Sequence, residues 1–374
     1  MTGMHSPLKL RALVRLLLLL AALSLSACSL GYYGQAALGQ MRISTSKQPV
    51  AGLLADPELA PDLRARLELS QKALAFAHDE LELPDNGSYR SYVDTGQPAV
   101  VFNVFAAPEF GIDARTWCFP IAGCVAYRGY FSEAAARRYA ARLQAAGDDV
   151  YVAGVAAYST LGRLKDPLLN TMLPMSETAF VGLLFHELAH QRLYVPGDTA
   201  FNEGFASALE TIGLQRWRVA RGTASAPAQR SQREAAVREL LLAAREQLAR
   251  LYADPLAAAQ LRADKQRLLA ELTADYQRLT AGWDSKPYQP LFAAGINNAS
   301  LAAIAAYADY QPAFMALYAD CDGVLACWYD AAAALADEPP PARQAKLADW
   351  LSRYDPAASS PAAGDDAASG TASE

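Results

Sequence analysis

The chain has 374 residues, with 33 Lys+Arg against 39 Asp+Glu, so its formal net charge at pH 7 is −6. It is 52% hydrophobic and 19% charged, which is typical of a globular protein of one or two domains and excludes a disordered chain or a collagen-like repeat. The acidic balance argues against nucleic-acid binding, because nucleic-acid-binding proteins usually carry a basic stripe.

The first 28 residues have the pattern of a secretory signal. Residues 1–15 contain basic residues and no acid, and residues 16–25 are apolar apart from one serine. That apolar run is too short to span a bilayer, which needs about 20 residues, but it fits a signal peptide over residues 1–27. Leu25-Ser26-Ala27-Cys28 then resembles the bacterial lipobox, which implies acylation of Cys28 and a lipid anchor. Ser29 after it favours the outer membrane, and a plain signal peptide with a chance cysteine is the alternative.

Four cysteines remain after Cys28, namely Cys118, Cys124, Cys321 and Cys327. An even number in an exported protein favours disulfides, although four cysteines allow three connectivities. We expect two local bridges, Cys118 to Cys124 and Cys321 to Cys327, because each would close a short loop. A zinc site with four cysteine ligands normally has shorter spacings than these.

The predicted elements begin with a weakly structured spacer over residues 29–50. Leucines at helical spacing after Pro61 predict a helix over residues 61–81, and the turn-forming residues 83–87 end it. Spacer and helix together form an N-terminal region over residues 28–87.

Residues 88–160 change to a strand-rich pattern. The segments 99–105, 124–131 and 149–158 are rich in β-formers and predict a small sheet of three to five strands. Ser132 is the expected N-cap of a helix between the last two strands.

Helices dominate the rest of the chain. Ser176 is the predicted N-cap of a helix over residues 176–195, and a second helix starts at Asp198 or Thr199 and runs to about residue 220. Further predicted elements are a helical hairpin over 229–281, more helices over 295–351, and a disordered tail over 356–374.

The segment His186-Glu187-Leu188-Ala189-His190 carries the strongest functional signal. Residues four apart lie on one face of a helix, so both imidazoles can bind one metal ion from the same side. Glu187 is rotated by about 100° from His186 and can accept a proton from a water without being a ligand. The alternative is an incidental surface pattern, but the flanking residues are apolar almost all round, which predicts a buried helix. Buried His and Glu need partners.

A third metal ligand must lie outside this motif, because catalytic zinc keeps three protein ligands and one open position. His78 lies far upstream beside acidic residues, and we interpret it as a surface or structural residue. Glu203 follows the motif after twelve residues. The Pro196-Gly197 turn would fold its helix back against the first, and Gly204 would let the two helices approach closely. Glu210, two turns later, either orients a ligand histidine or is a solvated helix residue.

The motif at 186–190 followed by Asn202-Glu203-Gly204-Phe205-Ala206 resembles the gluzincin zinc peptidases, and most closely the alanyl-aminopeptidase group. The resemblance implies Zn²⁺ bound by His186, His190 and Glu203. That group has eighteen residues between its motifs, and its G-x-M-E-N motif, which holds the free amine of the substrate, is absent here. N-terminal specificity therefore does not carry over by motif.

Three longer segments, residues 117–131, 157–173 and 185–206, are similar to the proteobacterial lipoproteins called predicted aminopeptidases. This resemblance covers most of the mature chain and implies a zinc peptidase fold, a peptide substrate and a cell-envelope location. We therefore expect an α+β, mostly α protein with a zincin-like core and small mixed sheet over residues 88–225. A helical region over residues 226–355 would frame the cleft.

Weaker assignments stay open. Val150 to Thr160 is either a strand that binds the substrate backbone or an ordinary core strand. A hydroxyl that stabilises the oxyanion would come from Tyr158, Tyr307 or Tyr310. Asn297-Asn298 favours a helix cap over a substrate contact.

These features together predict a zinc-dependent peptidase of the bacterial envelope, preferentially an aminopeptidase. A cleft closed at one end would favour an aminopeptidase, and an open groove would favour the alternative, an envelope endopeptidase. A non-catalytic envelope binding protein that retains a zinc site is the second alternative. Glu187 disfavours it, because a structural zinc site does not need this residue.

Overall fold

The computed structural model describes residues 31–119, 122–223, 228–308 and 310–353, except for the side chains of 228–231 and 306–308. The predicted signal peptide, Cys28 and the tail after residue 356 lie outside the described residues. Among the helices that the structure describes, none combines the length and the apolar character needed to cross a membrane.

The N-terminal region contains three helices: α1 over residues 31–45, α2 (Val50–Ala55) and α3 (Pro61–Asp79). Helix α3 confirms the sequence prediction, but α1 forms where a spacer was expected. Its three glycines lower helix propensity, so packing of one face must stabilise it. Ile43 on that face is buried in the main core.

The strands are β1 (Gln48–Pro49), β2 (Ser91–Val93), β3 (Val101–Pro108), β4 (Trp117–Phe119), β5 (Gly123–Val125), β6 (Arg128–Tyr130), β7 (Asp148–Val155) and β8 (Leu168–Leu169). They form an antiparallel sheet β6-β3-β7, a mixed sheet β1-β2-β8 and a hairpin β4-β5. Cys118 and Cys124 pair across that hairpin. The segment expected as one strand over 124–131 is divided between β5 and β6.

The two faces of the β6-β3-β7 sheet have different neighbours. The even-numbered side chains of β3 pack against helix α4 (Glu133–Ala145), whose N-cap is Ser132 as predicted. On the opposite face, Phe105 and Ala107 pack against helix α10 (Asn298–Ala308), while Val101 and Asn103 line a cleft. This alternation follows from the two-residue period of a strand.

The other helices are α5 (Glu177–Arg192), α6 (Thr199–Ala220), α7 (Ala228–Ala253), α8 (Ala258–Leu279), α9 (Gln289–Ala294), α11 (Gln311–Asp320), α12 (Leu325–Ala336) and α13 (Pro340–Arg353). The predicted N-cap of α5 is confirmed, because the Ser176 side chain accepts a backbone N–H at its start. Helix α6 begins at Thr199, one of the two expected starting residues, and the Asp198 side chain accepts the Phe201 N–H there. Helix α5 ends three residues earlier than predicted, since Leu193 is already extended. The mostly helical α+β class is confirmed.

Polar contacts also join the C-terminal helices to strand β7. Lys265 of α8 is buried and donates to Asp149 of β7 at 2.7 Å. Asn297 accepts from the backbone N–H of Ser300 at 3.0 Å and caps α10, as predicted. Its amide also donates to the Val150 carbonyl at 3.0 Å.

The second cysteine pair, Cys321 and Cys327, links α11 to α12 as the local pairing predicts.

Close contact between α5 and α6 depends on Gly182 and Gly213. A Cβ at Gly182 would lie 2.7 Å from the Glu210 carboxylate, and one at Gly213 would lie 2.7 Å from the Phe185 ring. The expectation that Gly204 serves this contact was wrong. A Cβ at Gly204 would instead lie 2.8 Å from Tyr310, at the start of α11.

Candidate active site

The residues of the histidine motif face one large cleft. The cleft has a volume of about 1840 Å³ and is lined by His186, Glu187 and His190 of α5 and by Glu203 and Glu210 of α6. The opposite walls come from the sheet face, α1, the end of β7 and α7. The apolar residues of α5 pack in the main core, and the three polar residues of its motif all line this one space.

The two histidines and Glu203 converge at one point. Nε2 of His186 lies 3.2 Å from one Glu203 carboxylate oxygen, and Nε2 of His190 lies 3.8 Å from the other. One possible ligand atom from each of the three side chains lies within 4.8 Å of the others. The structure thus brings together the three residues that the sequence singled out as a ligand set.

Glu210 lies on the other side of His186. Its carboxylate is 3.3 Å from Nδ1 of His186, so the imidazole is held between two glutamates. Of the two interpretations left open by the sequence, this geometry favours the orienting role over that of a solvated helix residue.

The electrostatics of this cluster favour positive charge. Burial lowers the pKa of His186, but hydrogen bonds to Glu203 and Glu210 outweigh burial and raise its pKa well above the ordinary value. Burial raises the pKa of Glu203, but its interactions with the two neighbouring histidines bring it below the usual range. Carboxylates gathered around imidazoles in a buried site call for a compensating cation.

The pKa values of the other two motif residues shift in the directions that their proposed roles require. Burial lowers the pKa of His190 to about 4, so it is neutral at pH 7, the form of histidine that binds metals. Burial raises the pKa of Glu187 to about 7, and the neighbouring His186 opposes this rise only in part. A carboxylate with this pKa can both accept and release a proton near neutral pH.

The donor set fits a zinc ion. Zinc–ligand distances of about 2.0–2.2 Å place two ligand atoms at most about 4.4 Å apart, and Glu203 meets this limit with both histidines. Nδ1 of His190 is buried without a hydrogen-bond partner in the described chain, and a metal bound at Nε2 would require the ring proton to be on this nitrogen.

The weaker candidates lie in different places. Nδ1 of His78 donates to the Leu83 carbonyl at 2.8 Å, at the end of α3, which fits the structural role expected of it. Tyr158 lines the cleft, but its hydroxyl already donates to Gln40 at 2.6 Å. Tyr310 packs against α6 at Gly204, and the Tyr307 side chain lies outside the described residues.

Two cleft tyrosines were missed by the sequence analysis. Tyr127 and Tyr194 both line the cleft, and burial followed by the Glu203 charge raises the pKa of each. The Tyr194 hydroxyl donates to the Ala122 carbonyl at 3.1 Å. Tyr194 lies four residues after His190, a spacing that marks it as a neighbour of the motif. The sequence around Tyr127 carries no comparable signal.

Comparison with known proteins places this site in a family. The model of the putative aminopeptidase family matches residues 31–347, which include every described residue of the cluster. The chain belongs to this family. The family's description is that of a peptidase, which implies a peptide substrate. No curated protein and no solved structure matches the chain.

Proposed function

We propose that the protein is a zinc-dependent peptidase, and specifically an aminopeptidase, with a zincin-like core of the gluzincin type. The main support is the convergence of the His186, His190 and Glu203 ligand atoms within 4.8 Å beside buried Glu187. Two histidines and a glutamate are a donor set that leaves zinc one open position for catalysis. Membership of the aminopeptidase family supports the same reaction class.

The side chains of the cluster have separate proposed roles. Bound zinc would supply a Lewis acid that polarises the scissile carbonyl and acidifies water. Glu187 takes a proton from the attacking water and passes it to the leaving amine. Glu210 orients His186 through Nδ1. The hydroxyl of Tyr127, which lines the same cleft, is the proposed donor to the developing oxyanion.

The test compares Glu187→Gln with the parent protein, using the soluble chain that starts after Cys28. Both proteins should bind about one zinc, and the loss of the base should lower peptide hydrolysis by at least about 10²-fold. Mass spectrometry measures the zinc content, and hydrolysis of a mixture of free peptides measures the activity. Glu68→Gln, an exposed change of the same kind on α3, is the control. Undiminished hydrolysis by Glu187→Gln would refute the mechanism, and zinc-free protein would refute the metal site.

The proposed location is the periplasmic side of the bacterial envelope, with a lipid anchor on Cys28 in the outer membrane. The support is the signal-like pattern of residues 1–28 and the two cysteine pairs, which persist as disulfides in an oxidising compartment. Cys28→Ser should abolish metabolic labelling by a palmitate analogue. Labelling that survives this change would contradict the anchor.

A further inference from the structure

Helix α1 covers the outer edge of strand β6. The side-chain amide of Gln35 donates to the Gly129 carbonyl at 3.4 Å and accepts from the Phe131 N–H at 3.1 Å. Tyr130 between them pairs with Phe102 of β3, and since backbone groups alternate in direction along a strand, those of Gly129 and Phe131 point away from the sheet. The amide therefore takes the place that one residue of an added strand would occupy.

Three more contacts hold the inner face of α1 against this side of the cleft. The Arg128 guanidinium lies 4.0 Å from the ring centre of Tyr32. Gly39 lies so close to β6 that a Cβ would overlap the ring of Phe131. Gln40 accepts from the Tyr158 hydroxyl at 2.6 Å.

This contact region is part of the cleft that contains the histidine cluster. Tyr32, Ala36 and Gln40 of α1 line the cleft together with Gly129 and Phe131. An extended peptide gains affinity by hydrogen bonding to the free edge of a strand. Here Gln35 already binds the Gly129 carbonyl and the Phe131 N–H at this edge, so a long peptide meets a helix instead of a free strand edge.

We propose that α1 is the end wall of the peptide cleft and restricts the site to short peptides and to the free ends of longer chains. This proposal rests on the proposed peptidase function. It names the substrate class as peptides with a free terminus, and it assigns the exclusion of internal bonds to α1. Displacement of α1 from β6 would open the strand edge to internal segments of long peptides.

Two variants displace α1 without touching the histidine cluster. Gly39→Ala introduces the overlap with Phe131, and Gln35→Ala removes both hydrogen bonds to β6. Gly34→Ala is the matched control, because a Cβ there has no neighbour within 4 Å and lies on the same helix. Hydrogen exchange of residues 31–45 and 123–131 measures whether the helix has moved.

The activity measurement uses two substrates: a dipeptide that has a free amine, and a peptide of about ten residues that is blocked at both ends. The parent should strongly prefer the dipeptide. In Gly39→Ala and Gln35→Ala, amide exchange should rise, and the ratio of long-peptide to dipeptide kcat/KM should rise about tenfold, since two backbone groups of β6 become free. Gly34→Ala should match the parent in both measurements.

Each other result overturns the proposal in a recognisable way. Equal cleavage of both substrates by the parent would show that α1 excludes nothing. If amide exchange rises but the ratio of long-peptide to dipeptide kcat/KM does not change, α1 is not the barrier. If amide exchange in both variants stays at the Gly34→Ala level, these contacts do not hold α1 in place. Absence of hydrolysis of every peptide by the parent would instead overturn the peptidase function and this proposal with it.

Discussion

The two sides of the cleft are built by different means. The side that carries the histidine cluster consists of α5 and α6, which are close in sequence, joined by a short turn and packed through the main core. The facing side combines α1, the sheet face and the end of β7, which come from distant parts of the chain. The reacting groups thus lie on a locally encoded helix pair, whereas the shape of the space in front of them depends on long-range packing.

The largest expected effect is on the helix side, at Glu203. Glu203→Gln removes the carboxylate that lies within 4 Å of both histidines and should lower zinc affinity by more than about 100-fold. Competition with a chromogenic chelator measures the affinity. Glu239→Gln, an exposed change on the α7 rim of the cleft, should leave it unchanged. Equal affinities in the two variants would mean that Glu203 is not a ligand.

A smaller effect is expected at Glu210, which contacts the ligand His186 and not the proposed zinc position itself. Glu210→Gln weakens the contact that orients His186, so zinc affinity should fall by about 10- to 100-fold, less than in Glu203→Gln. The same chelator titration measures the difference, with Glu239→Gln again as the control. If Glu210→Gln keeps the parent affinity, the contact at Nδ1 does not tune the site.

The smallest effect tests the packing of the helix pair. Gly213→Ala would place a Cβ 2.7 Å from the Phe185 ring and 2.8 Å from Leu81, so the free energy of unfolding should fall by about 1–3 kcal/mol. Urea unfolding followed by circular dichroism measures it. Gly52→Ala on α2, where a Cβ has no neighbour within 4 Å, should be neutral or stabilising. Equal stability of both variants would show that α5 and α6 are not packed this tightly.

The same contrast explains which features the sequence could predict. The caps Ser176 and Asp198 and the spacing of the motif are local, so the helices and the convergence on Glu203 follow from short-range rules. Helix α1 has weak local propensity, and packing of one face against the main core and the β6 edge stabilises it. The choice of Gly204 as the close-contact glycine was wrong for a related reason, since no local signal shows which face of α6 meets α5.

The position of α1 in the chain also bears on where the protein can act. Only three peptide units separate Cys28 from Gly31, the first described residue of α1, so their Cα atoms are at most about 11 Å apart. An acyl chain on Cys28 would therefore hold the cleft wall itself at the lipid surface, without a flexible arm. Such a tether would favour peptides close to the bilayer surface over those free in the surrounding solution.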